Sequence, residues 1–239
     1  MNLELHRIAA EHNEIALLRY VPRRPRGASL VAAHGYSSSK QNLDPLCAFL
    51  AGHGFEIFSL DLPGHKLGAS GGRLRDLDDC LDAMAATVSF ARERAGSWPY
   101  ALGHSLGAIT ALLFTASNPS IPGAIAIATG YRRTASISAL RRSFSTDLRA
   151  EYVDGASLPE LFEGADARME EALPQLSGRP VLYVAAMHDA MVPASSVVEL
   201  FERAPEPKRL ACIESNHTTA GENARTEVLQ WLKDLHPRE

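Results

Sequence analysis

Six compact apolar runs recur along the chain: SLVAAHG (29–35), FEIFSLDLPG (55–64), YALGH (100–104), AIAIATG (124–130), PVLYVAA (180–186) and KRLACIES (208–215). A strand that is apolar at consecutive positions must be buried on both faces, and burial on both faces requires a layer of helices on each side of the sheet. Helix-compatible segments separate most of these runs. Asp44-Pro45 predicts a helix start, with the aspartate as N-cap and the proline at the first helical position, and the helix is expected to end near Gly52 or Gly54. Leu77, Leu81, Met84, Val88 and Ala91 recur at spacings of three and four, which predicts a second helix with a single apolar stripe. Strands alternating with helices imply an α/β fold with a mainly parallel sheet and right-handed crossovers.

Two segments depart from this rhythm. Leu3 to Ile8 and Glu14 to Val21 alternate polar and apolar residues on either side of His12-Asn13, which predicts an antiparallel N-terminal hairpin. Between Tyr131 and Gly178 there is no strand-like run, and a structureless loop of that length is disfavoured in a compact domain. A small helical insertion over the mouth of the sheet is therefore expected at 131–178, leaving 1–130 and 179–239 as the core.

The 239 residues suffice for one domain with an elaboration. With 46% hydrophobic and 22% charged residues the composition is that of a globular protein, and a net charge of −4 gives no footprint for nucleic acid. Arg132-Arg133 and Arg141-Arg142 read as solvated positions, although Arg132 or Arg133 could meet an anionic substrate. Cys47, Cys80 and Cys212 lack C-x-x-C spacing and are expected to be buried free thiols. No continuous apolar stretch resembles a signal peptide or a membrane span, so a cytoplasmic protein is expected. Oligomeric state is not legible.

The chemistry concentrates at Gly103-His104-Ser105-Leu106-Gly107, which fits G-x-S-x-G, with an apolar run before it and a helix-compatible run after it. Such a turn presents a serine hydroxyl outside the carboxyl end of a strand, where ligands bind in a doubly wound sheet. A serine hydroxyl is a weak nucleophile at neutral pH and needs a base, which in turn needs an orienting acceptor. Asp189 follows the run PVLYVAA and His217 follows KRLACIES, giving the chain order serine, aspartate, histidine. His104 is expected to pack beside the elbow, His188 to be a loop residue, and Asp154 to be the weaker rival for the acid.

With His34-Gly35-Tyr36 after the first long strand and Asp61-Leu62-Pro63-Gly64-His65 after the next, the chain resembles the α/β-hydrolase superfamily, near its esterase and monoacylglycerol-lipase-like serine hydrolases. The resemblance implies Ser105 as nucleophile, His217 as general base and then acid, and Asp189 as the orienting carboxylate. It also implies an oxyanion hole from the backbone N–H groups of Tyr36 and Leu106, with no metal or other cofactor. His34, Asp61 and His65 are expected to support nearby turns. The chain departs from the family pattern at Lys66 to Gly72, where relatives often read G-H-G-x-S, and at Ala185 and Met187, where a glycine and an acidic residue are usual. The expected activity is cleavage of small carboxylic esters, with short- to medium-chain acyl or aryl groups lodged against Phe144, Tyr152, Phe162 and Met169. Thioesters, lactones, carbon–carbon bonds or a ligand-sensing role without turnover use the same residues and stay open.

Overall fold

The computed structural model describes residues 1–131 and 151–237. One eight-stranded sheet runs through the chain in the order β1-β2-β4-β3-β5-β6-β7-β8. β1 (Asn2–Ala9) and β2 (Glu14–Val21) form the expected antiparallel hairpin, and β2 joins β4 (Glu56–Leu60) antiparallel. From β4 onward every pairing is parallel, through β3 (Ser29–Ala33), β5 (Tyr100–His104), β6 (Ala124–Ile127), β7 (Val181–Ala186) and β8 (Lys208–Ile213). Each apolar run contains one of these strands. The residues trailing the first two runs, His34-Gly35 and Asp61 to Gly64, lie beyond the strand ends in the connecting loops.

The sheet separates two apolar cores. One is filled by Val31, Ala33, Phe58 and Ala101 from the strands, against α2 (Leu77–Ala95), α3 (Leu106–Ser117) and α6 (Ala194–Arg203). The other receives Leu30, Ala32, Ile57 and Leu102, against α1 (Asp44–Gly52) and α8 (Arg225–Leu235), the latter preceded by the short α7 (Ala220–Asn223). Adjacent strand residues therefore face opposite layers, as the consecutive apolar runs require. α2 carries the predicted stripe and begins at Asp76, whose side chain accepts from the N–H groups of Asp78 and Asp79.

The start of α1 differs from expectation. A 3₁₀ turn over Lys40–Leu43 leads directly into the helix, so Leu43 is the N-cap and Asp44 is already helical. The Asp44 carboxylate instead accepts a hydrogen bond from the Tyr20 hydroxyl at 2.8 Å, a partner supplied by β2. Cys47 and Cys80 are buried free thiols, whereas Cys212 is exposed on the edge strand β8.

Residues 132–150, with Phe144 and the four arginines 132, 133, 141 and 142, lie outside the described residues. The remainder of the 131–178 segment returns along the body of the molecule. Asp154 N–H donates to Gly64 O (2.8 Å), Leu74 N–H donates to Asp154 O (2.9 Å), and Ala156 N–H donates to Leu74 O (2.6 Å). α4 (Leu158–Phe162), α5 (Ala165–Ala172) and a 3₁₀ turn at Leu173–Leu176 follow, burying Phe162, Met169 and Leu173 in the core shared with α3.

A buried ion pair ties the loops at the carboxyl ends of β3 and β4. Lys40 is 2% exposed and Asp61 fully buried, and the lysine ammonium lies on Asp61 Oδ2. Lys40 N–H donates to Asp61 Oδ1 (2.8 Å), Ala69 N–H to Oδ2 (2.7 Å), and the Ser70 hydroxyl to the Asp61 carbonyl (2.7 Å). The divergent loop 66–72 is thus wrapped around a carboxylate. Gly68 sits so close that a Cβ there would lie 2.6 Å from the Asp61 carboxyl carbon.

Removing one member of a buried pair strands the other charge, which costs about 3–5 kcal/mol, whereas removing both relieves that penalty. Lys40→Met should lower the urea midpoint by about that free energy, and Lys40→Met combined with Asp61→Asn should recover part of it. A loss in the double variant equal to the sum of the separate Lys40→Met and Asp61→Asn losses would show that the pair is not coupled.

Candidate active site

Ser105 occupies the junction between β5 and α3 with φ 54° and ψ −114°, a left-handed conformation that a residue bearing a Cβ adopts only under constraint. The constraint is the closeness of α3 to the sheet. A Cβ on Gly103 would lie 2.0 Å from Gly107 O, and one on Gly107 would lie 2.1 Å from Ala33 O. The two glycines are required by these approaches, and the positive φ belongs to the serine between them. Ser105 N–H is held by Ile127 O (2.9 Å), while Ser105 O accepts from Ala108 and Ile109 N–H. Leu106 begins α3, so its N–H has no partner within the helix and stands at the positive end of the helix dipole.

Asp189 and His217 meet from two different strand ends. Asp189 Oδ1 accepts from the backbone N–H groups of Met191 (2.8 Å) and Val192 (2.7 Å), leaving Oδ2 to face His217 Nδ1 at 2.7 Å. Both of its oxygens are thereby oriented, and its side chain is fully buried. A carboxylate partner places the imidazole proton on Nδ1, so Nε2 is the basic nitrogen of the neutral ring. The turn bearing His217 is braced by Asn216 Oδ1, which accepts from Thr219 N–H at 3.1 Å. Asp154 is half exposed beside Arg73, and the His188 ring turns outward to an exposed hydrogen bond with Glu214, so neither side chain is the partner of His217.

The third element is the loop after β3. Leu62 N–H donates to His34 Nε2 (3.0 Å), so the ring carries its proton on Nδ1 and donates it to Gly35 O (2.8 Å). The Gly35 carbonyl and the Tyr36 N–H are opposite edges of one rigid peptide plane. Fixing the carbonyl therefore fixes the direction of the Tyr36 N–H. The loop lies against the elbow, since a Cβ on Gly35 would come within 3.3 Å of Ser105 Cβ. The Tyr36 hydroxyl donates to Ala156 O (3.1 Å), joining this loop to the returning segment.

Ser105, His217 and Tyr36 line one cavity of about 190 Å³. Its further lining is mixed, with Ser38, Asn42 and Thr218 among the polar groups and Leu43, Leu158 and Met191 among the apolar ones. Of the aromatic and apolar residues expected to receive an acyl group, Phe162 and Met169 are in the core and Tyr152 is exposed. Leu158 is the contribution of the described part of that segment.

Two features of the site have no counterpart in the sequence reading. His104 Nε2 donates to the backbone carbonyl of His217 at 2.8 Å, a bond across 113 positions. Lys40, which looks like a solvated residue in the polar run SSSKQNL, is instead buried under the site. Neither local pattern nor periodicity could reveal them, because each partner comes from a distant strand end.

A serine in a strained strand-to-helix elbow and a carboxylate-bound imidazole, brought to one cavity at the carboxyl ends of a mainly parallel sheet, define an α/β-hydrolase. The sequence pattern of the family described as serine aminopeptidase, S33, spans residues 24–150, and the chain belongs to that family. Solved structures share the fold. An esterase of Pyrococcus furiosus superposes with a TM-score of 0.77 at 18% identity, covering 98% of this chain and 91% of its own. The esterase domain of a Rhodothermus marinus protein gives 0.73 at 17%, covering 98% of both chains. E-2-(acetamidomethylene)succinate hydrolase gives 0.70 at 19%, again covering 98% of both. No curated protein matches the chain in sequence.

Three histidines of the site are held neutral. Burial lowers the pKa of His104 from 6.5 to about 4, reinforced by repulsion from His217. Burial likewise lowers His34, aided by His65, and lowers His65 itself. Each ring takes up a proton on unfolding below its ordinary pKa but not while folded, so the unfolded state binds more protons and stability is lost as the pH is lowered. Unfolding titrations should show a loss of up to about 3 kcal/mol between about pH 6.5 and 5.5, above the carboxylate range. A flat urea midpoint across that window would mean the rings are protonated in the folded protein.

Proposed function

We propose that the chain hydrolyses small carboxylic esters by acyl transfer through Ser105. The observation that carries the reading is the strained Ser105 facing the same cavity as His217, whose Nδ1 is bound to the buried Asp189. In this mechanism Ser105 Oγ attacks the ester carbonyl carbon while His217 Nε2 takes the hydroxyl proton. Asp189 stabilises the resulting imidazolium, and the negative charge on the carbonyl oxygen is received by the N–H groups of Leu106 and Tyr36, each contributing about 3 kcal/mol when well placed. Collapse expels the alkoxide, which takes the proton from His217. Water then attacks the acyl-enzyme by the same route, giving the carboxylic acid and restoring Ser105.

The lining favours an ester over the free N-terminus of a peptide. An aminopeptidase must compensate the substrate's α-ammonium after desolvation, and a carboxylate is the usual means. Among the described residues no Asp or Glu lines this cavity, and its polar groups besides histidine are neutral. A volume near 190 Å³ is small against the roughly 300–1,000 Å³ of drug-sized sites, which supports a short acyl group. Residues 131–178 are proposed as a cap on the core formed by 1–130 and 179–239, with Leu158 its contact to the acyl group. No helix among the described residues is long and apolar enough to cross a membrane, and the unpaired cysteines suit the reducing cytoplasm, the proposed location.

Steady-state hydrolysis of p-nitrophenyl esters from acetate to decanoate, beside an aminoacyl p-nitroanilide, tests the reading. Repeated turnover is expected, highest for short acyl groups. Ser105→Ala should lose activity by about a thousandfold or more and fail to take a fluorophosphonate label. Labelling of the wild type without turnover would turn the reading toward a sensor or another bond type. Preference for the anilide would restore the aminopeptidase.

A further inference from the structure

We propose that His104 is a positioning residue that registers the base-bearing loop against the nucleophile, a role that rests on the ester-hydrolase reading of the site. The hydrogen bond between His217 Nδ1 and Asp189 fixes one point of the imidazole, about which the ring can still pivot. A second anchor removes that freedom. His104 Nε2 lies 2.8 Å from the His217 carbonyl, and since a carbonyl can only accept, the His104 proton is on Nε2. The two rings stand 4.9 Å apart, tilted by 48°, so the contact extends from backbone to ring.

The other edge of His104 faces the oxyanion loop. A Cβ on Gly35 would lie 3.1 Å from His104 Nδ1, so the bare Gly35 backbone packs directly on this ring. His104 thus stands between the loop carrying Tyr36 N–H and the loop carrying His217, and it is the residue immediately before Ser105. Any displacement of either loop is referred to the backbone of the elbow itself. Burial keeps the ring uncharged beside the imidazolium that forms during the reaction, so the anchor adds no opposing charge. The glutamine amide nitrogen reaches the position of a histidine Nε2, whereas that of asparagine reaches only as far as Nδ1. That difference distinguishes the hydrogen bond from generic polarity or volume.

Variants His104→Gln, His104→Asn and His104→Leu are compared by kcat and KM on p-nitrophenyl butyrate, by the rate of fluorophosphonate labelling at Ser105, and by histidine-ring NMR of the His217 Nδ1–H. His104→Leu and His104→Asn are expected to lose about 30-fold in kcat with KM within threefold, and to slow labelling in parallel. His104→Gln should retain kcat within about fivefold. The His217 Nδ1–H signal should stay sharp in wild type and in the Gln variant, and broaden by exchange with water in the other two. Equal losses in all three variants, a change in KM alone, or an unchanged kcat in the Leu and Asn variants would overturn the proposal. If the wild type neither turns over nor labels, the ester reading itself has failed. The NMR comparison, which needs no substrate, then decides the anchor, and an unchanged His217 signal in the Leu and Asn variants would refute it.

Discussion

The close approach of α3 to the sheet is the constraint on which the site depends. Eleven of the twelve residues of α3 are buried, so the helix is held by apolar contacts on all sides and cannot retreat. At its first turn it meets the strands backbone to backbone, through Gly103 and Gly107, at distances that leave no room for a Cβ. The chain can pass from β5 into a helix held so tightly only by a sharp turn, and the turn falls on Ser105. The strain of its left-handed backbone is therefore imposed by the core, whose burial energy far exceeds the ~1–3 kcal/mol that such a conformation costs.

Around this elbow the protein gathers polar groups that an apolar interior would ordinarily exclude. Lys40 and Asp61 are buried together, and His34, buried, and His104, partly buried, have their protons assigned by their partners. Asp61, His34 and His104 each satisfy a backbone group of a loop that borders the cavity: Asp61 the start of the 3₁₀ turn at Lys40, His34 the Gly35 carbonyl, His104 the His217 carbonyl. Loops at strand ends have few apolar contacts of their own. Buried hydrogen bonds give them a single geometry, because an unmade bond in that environment costs more than a made one gains.

The six apolar runs were sufficient to read six strands of a mainly parallel sheet, since burial on both faces writes itself into consecutive residues, and the alternation of two further segments was sufficient to read the N-terminal hairpin. Ser105, Asp189 and His217 were legible for a related reason: each follows a readable strand, and strand ends share one edge in this architecture. Asp44 shows where such reading fails. Its sequence context is that of an N-cap, yet Tyr20, brought alongside by the hairpin, claims its carboxylate, and the helix begins a residue earlier. Phe162 and Met169 show the same limit. Their apolar character does not say whether they face a cavity or α3, and packing against α3 buries them.

The sequence by itself determined the alternation of strand and helix, the position of the elbow, and the order of Ser105, Asp189 and His217 along the chain. These are local or periodic properties, carried by residue types at short spacing. Only the tertiary structure decided which groups meet across those positions: Asp189 Oδ2 with His217 Nδ1, His104 with the His217 carbonyl, and Lys40 with Asp61. Such contacts join residues separated by tens of positions. Their geometry depends on strand order, helix approach and burial together, which no single stretch of sequence contains.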